Sequence, residues 1–173
     1  GSGNDIIKTG AGDDKVYGEA GDDIIIQNGS GSQTYDGGSG TDTLKVDTSG
    51  GWVGTLNKDY PNSIEINMTT GIVGQTNNPN KRDSFSNIEN ITFIGSFDTL
   101  LTGDGNDNII IGDTGNDTIK GENGKDTLDG GDGNDTLKGG DGNDTIKTGA
   151  GDDKVYGEAG DDIIIQNGSG SQT

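Results

Sequence analysis

The chain has 173 residues, with 30 acidic side chains against 11 basic ones, a formal net charge of −19, 35 glycines, 25% hydrophobic residues and neither Cys nor His. No run of 18 apolar residues offers a membrane span, the acidity makes nucleic acid and anionic lipid unsuitable partners, and without Cys and His there are no disulfides, zinc sites, thiol nucleophiles or imidazole bases, so a metal could find only oxygen ligands. So little apolar material at so high a charge cannot offset its own ordering entropy: the chain is either disordered or held by something outside the polypeptide, and small cations are the natural counterpart.

In chain order, residues 1–45 follow a nine-residue register with one extra residue at Gln27. Residues 46–97 form a segment of different composition, and residues 98–173 return to the register, with one extra residue placed at Ile111. The repeat is clearest where Gly139-Gly140-Asp141-Gly142-Asn143-Asp144-Thr145-Ile146-Lys147 follows Gly130-Gly131-Asp132-Gly133-Asn134-Asp135-Thr136-Leu137-Lys138: glycine at positions one, two and four, Asp at six, a large aliphatic at eight. A longer period is nested over it. Residues 140–173 repeat residues 1–34 at 32 of 34 positions, so the sequence is one 139-residue unit plus its overlap, and both ends fall inside a nonapeptide; we expect a window from a longer tandem array. The middle segment reads as short strands: Ile64, Ile66 and Met68 alternate, Thr70-Gly71 offers a turn before Ile72-Val73, a loop covers Gln75 to Asp83, and Ile88, Ile91 and Phe93 resume a strand. It either continues or caps the repeat architecture. No segment carries a helical stripe.

The first six residues of each unit suit a turn, since glycine permits positive φ, and the last three suit a short strand that turns one aliphatic inward. Two units complete a coil of eighteen residues whose strands stack in parallel. The fold class expected is therefore all-β, a flattened β-solenoid, with Ile7, Val16, Ile25, Tyr35, Leu44, Ile109, Ile119, Leu128, Leu137, Ile146, Val155 and Ile164 inside. Burying one Ile or Leu contributes roughly 1.5–3 kcal/mol. Fixing nine backbones costs about 9–18 kcal/mol, at roughly 1–2 kcal/mol each. Stacking also sets the position-six carboxylates of alternate units above one another as like charges. A hard dication with oxygen ligands answers both problems. Ca²⁺, which takes six to eight oxygens in flexible geometry, suits turns that offer carbonyls and one carboxylate each better than Mg²⁺ does. Such a site is absent from the unfolded chain, so binding energy becomes folding energy.

The nonapeptide Gly-Gly-x-Gly-x-Asp-x-(Leu/Ile)-x resembles the signature of the RTX (repeats-in-toxin), or haemolysin-type calcium-binding, family. Gly121 to Lys147 match it almost ideally, and Asn-Ile-Glu-Asn-Ile at Asn87 and Asp-Thr-Leu-Leu-Thr-Gly at Asp98 look like the linker between such blocks. The resemblance implies a calcium-loaded parallel β-roll. It places the calcium-ligating carboxylate on Asp5, Asp14, Asp23, Asp42, Asp98, Asp107, Asp117, Asp126, Asp135, Asp144, Asp153 and Asp162. Each ion should lie between turns eighteen residues apart, pairing Asp126 with Asp144, Asp144 with Asp162, Asp117 with Asp135, Asp135 with Asp153 and Asp23 with Asp42. Gln33 and Gln172 depart from the pattern, so a site joining Asp14 to Gln33 is expected to be weaker, or to rely on carbonyls and water. Counting same-side turns gives on the order of nine Ca²⁺ ions, about +18 against the formal −19.

No Gly-x-Ser-x-Gly, Walker loop, EF-hand spacing or nucleophile–base pair occurs, and no catalysis is expected. The leading expectation is a calcium-rigidified structural module of a large secreted or cell-surface protein, exported by type I secretion, folding outside the cell and serving as an extender or filament-forming element beside neighbouring copies of itself. One alternative is the carboxy-terminal secretion and folding region of an RTX toxin or exoenzyme. The other is an adhesin module whose middle segment, through Trp52, Tyr60, Lys81 and Arg82, binds glycan or a surface; the plainer reading of those side chains is a strand extension packed on the solenoid.

Overall fold

The computed structural model describes residues 1–29, 31–49, 64–75 and 82–173, and the fold is the expected one: none of the described residues is helical, and the chain winds as a flattened solenoid. Its strands are β1 (Ile6–Lys8), β2 (Lys15–Tyr17), β3 (Ile24–Gln27), β4 (Thr34–Asp36), β5 (Thr43–Asp47), β6 (Ile64–Asn67), β7 (Ile72–Gln75), β8 (Arg82–Ser86), β9 (Asn90–Ile94), β10 (Thr99–Thr102), β11 (Ile109–Ile111), β12 (Thr118–Asn123), β13 (Thr127–Asp129), β14 (Thr136–Asp141), β15 (Thr145–Lys147), β16 (Lys154–Ala159) and β17 (Ile163–Ile165). They alternate between two sheets, except that β6, β7 and β8 all lie in the same one. One has eight parallel strands in the order β1-β3-β5-β9-β11-β13-β15-β17; the other has nine, in the order β16-β14-β12-β10-β6-β7-β8-β4-β2. Among the described strands only β7 runs antiparallel to its neighbours, β6 and β8.

The register stacks inward aliphatics along each sheet. In the eight-stranded sheet Ile25, Leu44, Ile91, Ile110, Leu128 and Ile146 pair in succession. In the other, Ile66, Leu101, Ile119 and Leu137 do the same. All ten are fully buried. Val16 and Tyr35 are buried as expected, and Ile7 and Val155 are half-buried against the core. Ile164 keeps the inward register opposite Ile146 but stays exposed on the last coil.

The register fails expectation in one place. Ile110, not Ile109, faces the core; Ile109 is 47% exposed. Asp117 lies eighteen residues from Thr99, and Asp126 eighteen from Asn108, so the coil needs no extra residue at Ile111. The extra residue at Gln27 is real, because the corresponding spacings there are nineteen.

The middle segment adds strands to both sheets. β9 enters the eight-stranded sheet between β5 and β11, while β8, β7 and β6 fill the other between β4 and β10. Gly71, with φ +63, makes the turn from β6 into β7. Its carbonyl accepts the Phe85 amide at 2.8 Å, so the turn is held against β8. Trp52, Tyr60 and Lys81 lie outside the described residues. Arg82 is half-buried and paired with Glu65 at 3.3 Å.

Candidate metal centres

Each turn repeats one hydrogen-bond device. The backbone N–H of a position-six Asp donates to Oδ1 of the position-six Asp one coil on: Asp126 to Asp144 at 2.8 Å, Asp144 to Asp162 at 3.0 Å, Asp117 to Asp135 at 2.8 Å and Asp135 to Asp153 at 3.0 Å. Asp5 donates likewise to Asp23 at 2.7 Å, and Asp23 to Asp42 at 2.8 Å. The five expected pairs are thus brought together, and two carboxylate ladders run along the two edges of the solenoid. Position-five side chains do the opposite. Their oxygens accept an amide from the following coil, as Asn116 does from Asn134 at 2.9 Å and Asn134 from Asp152 at 2.8 Å.

Glycine at positions two and four supplies backbone that L side chains avoid: φ is +99 at Gly131 and +140 at Gly133. Position one is glycine for a different reason. A Cβ on Gly130 would collide with Asp135 Oδ2 and with the Thr148 carbonyl of the next coil, and one on Gly121 with Asp126 Oδ2 and the Gly139 carbonyl. Position-six Oδ2 and the next coil's position-one carbonyl therefore converge over the same glycine.

Those Oδ2 atoms decide what the turns can do. Oδ2 is buried with no hydrogen-bond partner in Asp14, Asp23, Asp42, Asp117, Asp126, Asp135, Asp144 and Asp153. One buried acceptor left unsatisfied costs about 1–3 kcal/mol, and more if charged. Eight in one small fold require a positive partner. Among the described residues no three Asp or Glu side chains form a ready-made cage. The donor set is instead one carboxylate per turn with backbone carbonyls, all hard oxygens, which fits Ca²⁺. Asp14, Asp23, Asp42, Asp117, Asp126, Asp135, Asp144 and Asp153 are the residues that would hold it, and the ion would supply the charge that their Oδ2 atoms lack.

Burial pushes the carboxyls of Asp42 and Asp144 up, those of Asp117 and Asp126 to about 6 and that of Asp135 to about 7, against the hydrogen bonds from the preceding coil. The sign follows. A carboxyl with a raised pKa in the fold stabilises the ion-free fold below the ordinary carboxylate range, and that contribution is lost as pH rises through 6 to 7. At neutral pH a cation must take the proton's place.

Asp98 and Asp107, both named as ligands from the sequence, are out of phase. They are exposed, and their Oδ1 atoms accept the Asn116 and Lys125 amides at 2.8 Å in the position-five manner. The buried register beside them belongs to Thr99 and Asn108, whose amides donate to Asp117 and Asp126 at 2.8 Å. Asp5 and Asp162 keep the ladder register on the first and last coils, where Asp5 is exposed and Asp162 half-buried.

Gln33 takes the Asp position in a different way. Its Oε1 accepts the Asp14 amide at 3.2 Å, and its Nε2 donates to the Gly12 carbonyl at 2.6 Å. Gln172 repeats the second contact with Gly151 at 3.4 Å. Two residues not singled out from the sequence complete the ladders. Asp83 Oδ1 accepts the Gln33 amide at 2.8 Å and Glu89 Oε2 accepts that of Asp42 at 2.7 Å. Asp83 is fully buried and also bonded by Gln27 Nε2, and burial lifts its carboxyl to about 6.

The family model of the RTX calcium-binding nonapeptide repeat matches residues 1–26, 102–137 and 138–165, slightly more than half of the chain. The chain belongs to this RTX family. No curated protein matches it in sequence. Among solved structures it is similar to the extracellular lipase LipA from Serratia marcescens, with 20% identity and a TM-score of 0.37 over 94% of this chain and 30% of that one. The chain thus spans under a third of that lipase's length. The RTX match stops at residue 26 and resumes at 102, so Gln33, Asp42, Asp83 and Glu89 stand outside the matched repeats although they share the ladder geometry.

Proposed function

We propose that the chain is a calcium-folded structural module of a large secreted or surface-attached RTX protein, repeated in tandem and serving as an extender. One observation supports this reading above the rest. The 34-residue overlap returns to the same place in the fold: β15 and β17 stand in the same sheet as β1 and β3, and β16 stands in the sheet of β2. A following unit would therefore continue both sheets without changing phase, and near-identical units suit a spacer better than an enzyme, which needs one unique site. The module carries no chemistry of its own. Its calcium requirement makes it unfolded where calcium is scarce and folded outside the cell, since extracellular modules load at about 10⁻⁴–10⁻³ M.

A calcium titration followed by circular dichroism tests the reading. Excess chelator leaves little β-structure, and millimolar calcium produces a cooperative β-sheet signal. Full β-structure in chelator would sink it.

A further inference from the structure

We propose that Asp42, the backbone carbonyl of Asn87 and Glu89 hold a calcium ion that the nonapeptide pattern does not encode, tying the first repeat block to the middle segment. In the regular turns a position-one glycine is backed by Oδ2 of its own position-six Asp and by the position-one carbonyl of the next coil: Asp23 and Gly37 at Gly18, Asp126 and Gly139 at Gly121, Asp144 and Gly157 at Gly139. At Gly37 the same two places are taken by Asp42 Oδ2 and the carbonyl of Asn87. Asn87 thus stands where the next glycine would, in the left-handed conformation with φ +52.

The position-six place of that coil falls to Glu89. Thr43 pairs with Asn90 across β5 and β9, which sets Glu89 opposite Asp42. Glu89 Oε2 accepts the Asp42 amide at 2.7 Å, as Asp42 Oδ1 accepts that of Asp23 at 2.8 Å. The turn here is shorter, because position one and position six are two residues apart in Asn87-Ile88-Glu89 and five apart from Gly37 to Asp42. The additional methylene of Glu reaches across what the shortened backbone leaves.

The carboxylate that demands the ion is plain: Asp42 is 0% exposed and its Oδ2 has no partner. One step further the need ends. Asn108 replaces the acid, and its Nδ2 donates to the Glu89 carbonyl at 2.9 Å.

The inference rests on the calcium-folded reading above, and native mass spectrometry of the full chain at saturating calcium separates the two. Glu89→Gln keeps an acceptor for the Asp42 amide and removes the charge, so it should bind one ion fewer than the wild type with an unchanged circular dichroism spectrum. An equal ion count overturns the inference and leaves the module's function standing; a wild type that binds no calcium overturns both. Should Glu89→Gln fail to fold, the anomalous difference map of calcium-loaded wild-type crystals decides. A peak between Asp42 and Glu89 supports the site, and peaks at Asp126 and Asp144 with none here overturn it.

Discussion

At the rung between Asp14 and Gln33, one side-chain amide supplies the acceptor that an Asp Oδ1 supplies elsewhere and, through Nε2, a donor to the Gly12 carbonyl. In the Asp rungs that second place belongs to an Oδ2 with no partner. Gln33 thus satisfies its own side chain without a cation, while Asp14 Oδ2 on the same rung stays unpartnered. Gln33→Glu is nearly isosteric, replaces the donor with a second acceptor and sets it against a carbonyl, so the place that Nε2 fills now needs an ion. The variant should bind one calcium more than the wild type. At limiting calcium it should be destabilised by about 1–3 kcal/mol, the cost of losing a buried hydrogen-bond donor. Ion counting and thermal melts at two calcium concentrations check this; a variant that matches the wild type in both would refute the role given to the amide.

At the scale of the strand, the nine-residue alternation carried the inward residues of nearly every repeat, because one aliphatic flanked by polar neighbours leaves a single face to bury. Between Thr99 and Ile111 it could not. Ile109, Ile110 and Ile111 are equally apolar, so hydrophobic patterning assigns none of them to the core, and a one-residue slip exchanges the two faces. The turn before β11 compounds this. Gly103 and Gly105 both look like turn glycines, and the order Asn106-Asp107-Asn108 places an acid one residue before the buried position. The unbroken eighteen-residue spacing back from Asp117 and Asp126 held the answer. In the middle segment the reason for illegibility is different: Glu89 belongs to a ladder only through pairing with β5, a long-range contact that no local motif announces. The slip has a measurable consequence. Ile110→Ala should cost about 2–5 kcal/mol through the cavity it leaves, whereas Ile109→Ala should stay within about 0.5 kcal/mol, as a surface change does. Urea midpoints at saturating calcium measure both, and equal effects would contradict the observed register.

At the scale of the whole molecule, the two sheets do not advance equally through one 139-residue unit. From β1 to β15 the eight-stranded sheet takes six strand steps, whereas from β2 to β16 the nine-stranded sheet takes eight, because β8, β7 and β6 occupy the interval between β4 and β10. At about 4.8 Å per step the two faces span about 29 and 38 Å, and packed sheets lie about 10 Å apart. A difference of about 10 Å across that thickness bends the solenoid toward the eight-stranded face by up to about 50° per unit. The calcium ladders stiffen each block between bends, so an array built from this unit should be a rigid curve and not a straight rod. Small-angle scattering from calcium-loaded chains of one, two and three units reads the difference: in a curved array the largest dimension grows by less with the third unit than with the second. Equal increments of about 29–38 Å would mean that the β6–β7–β8 interval is absorbed by local fanning of the strands.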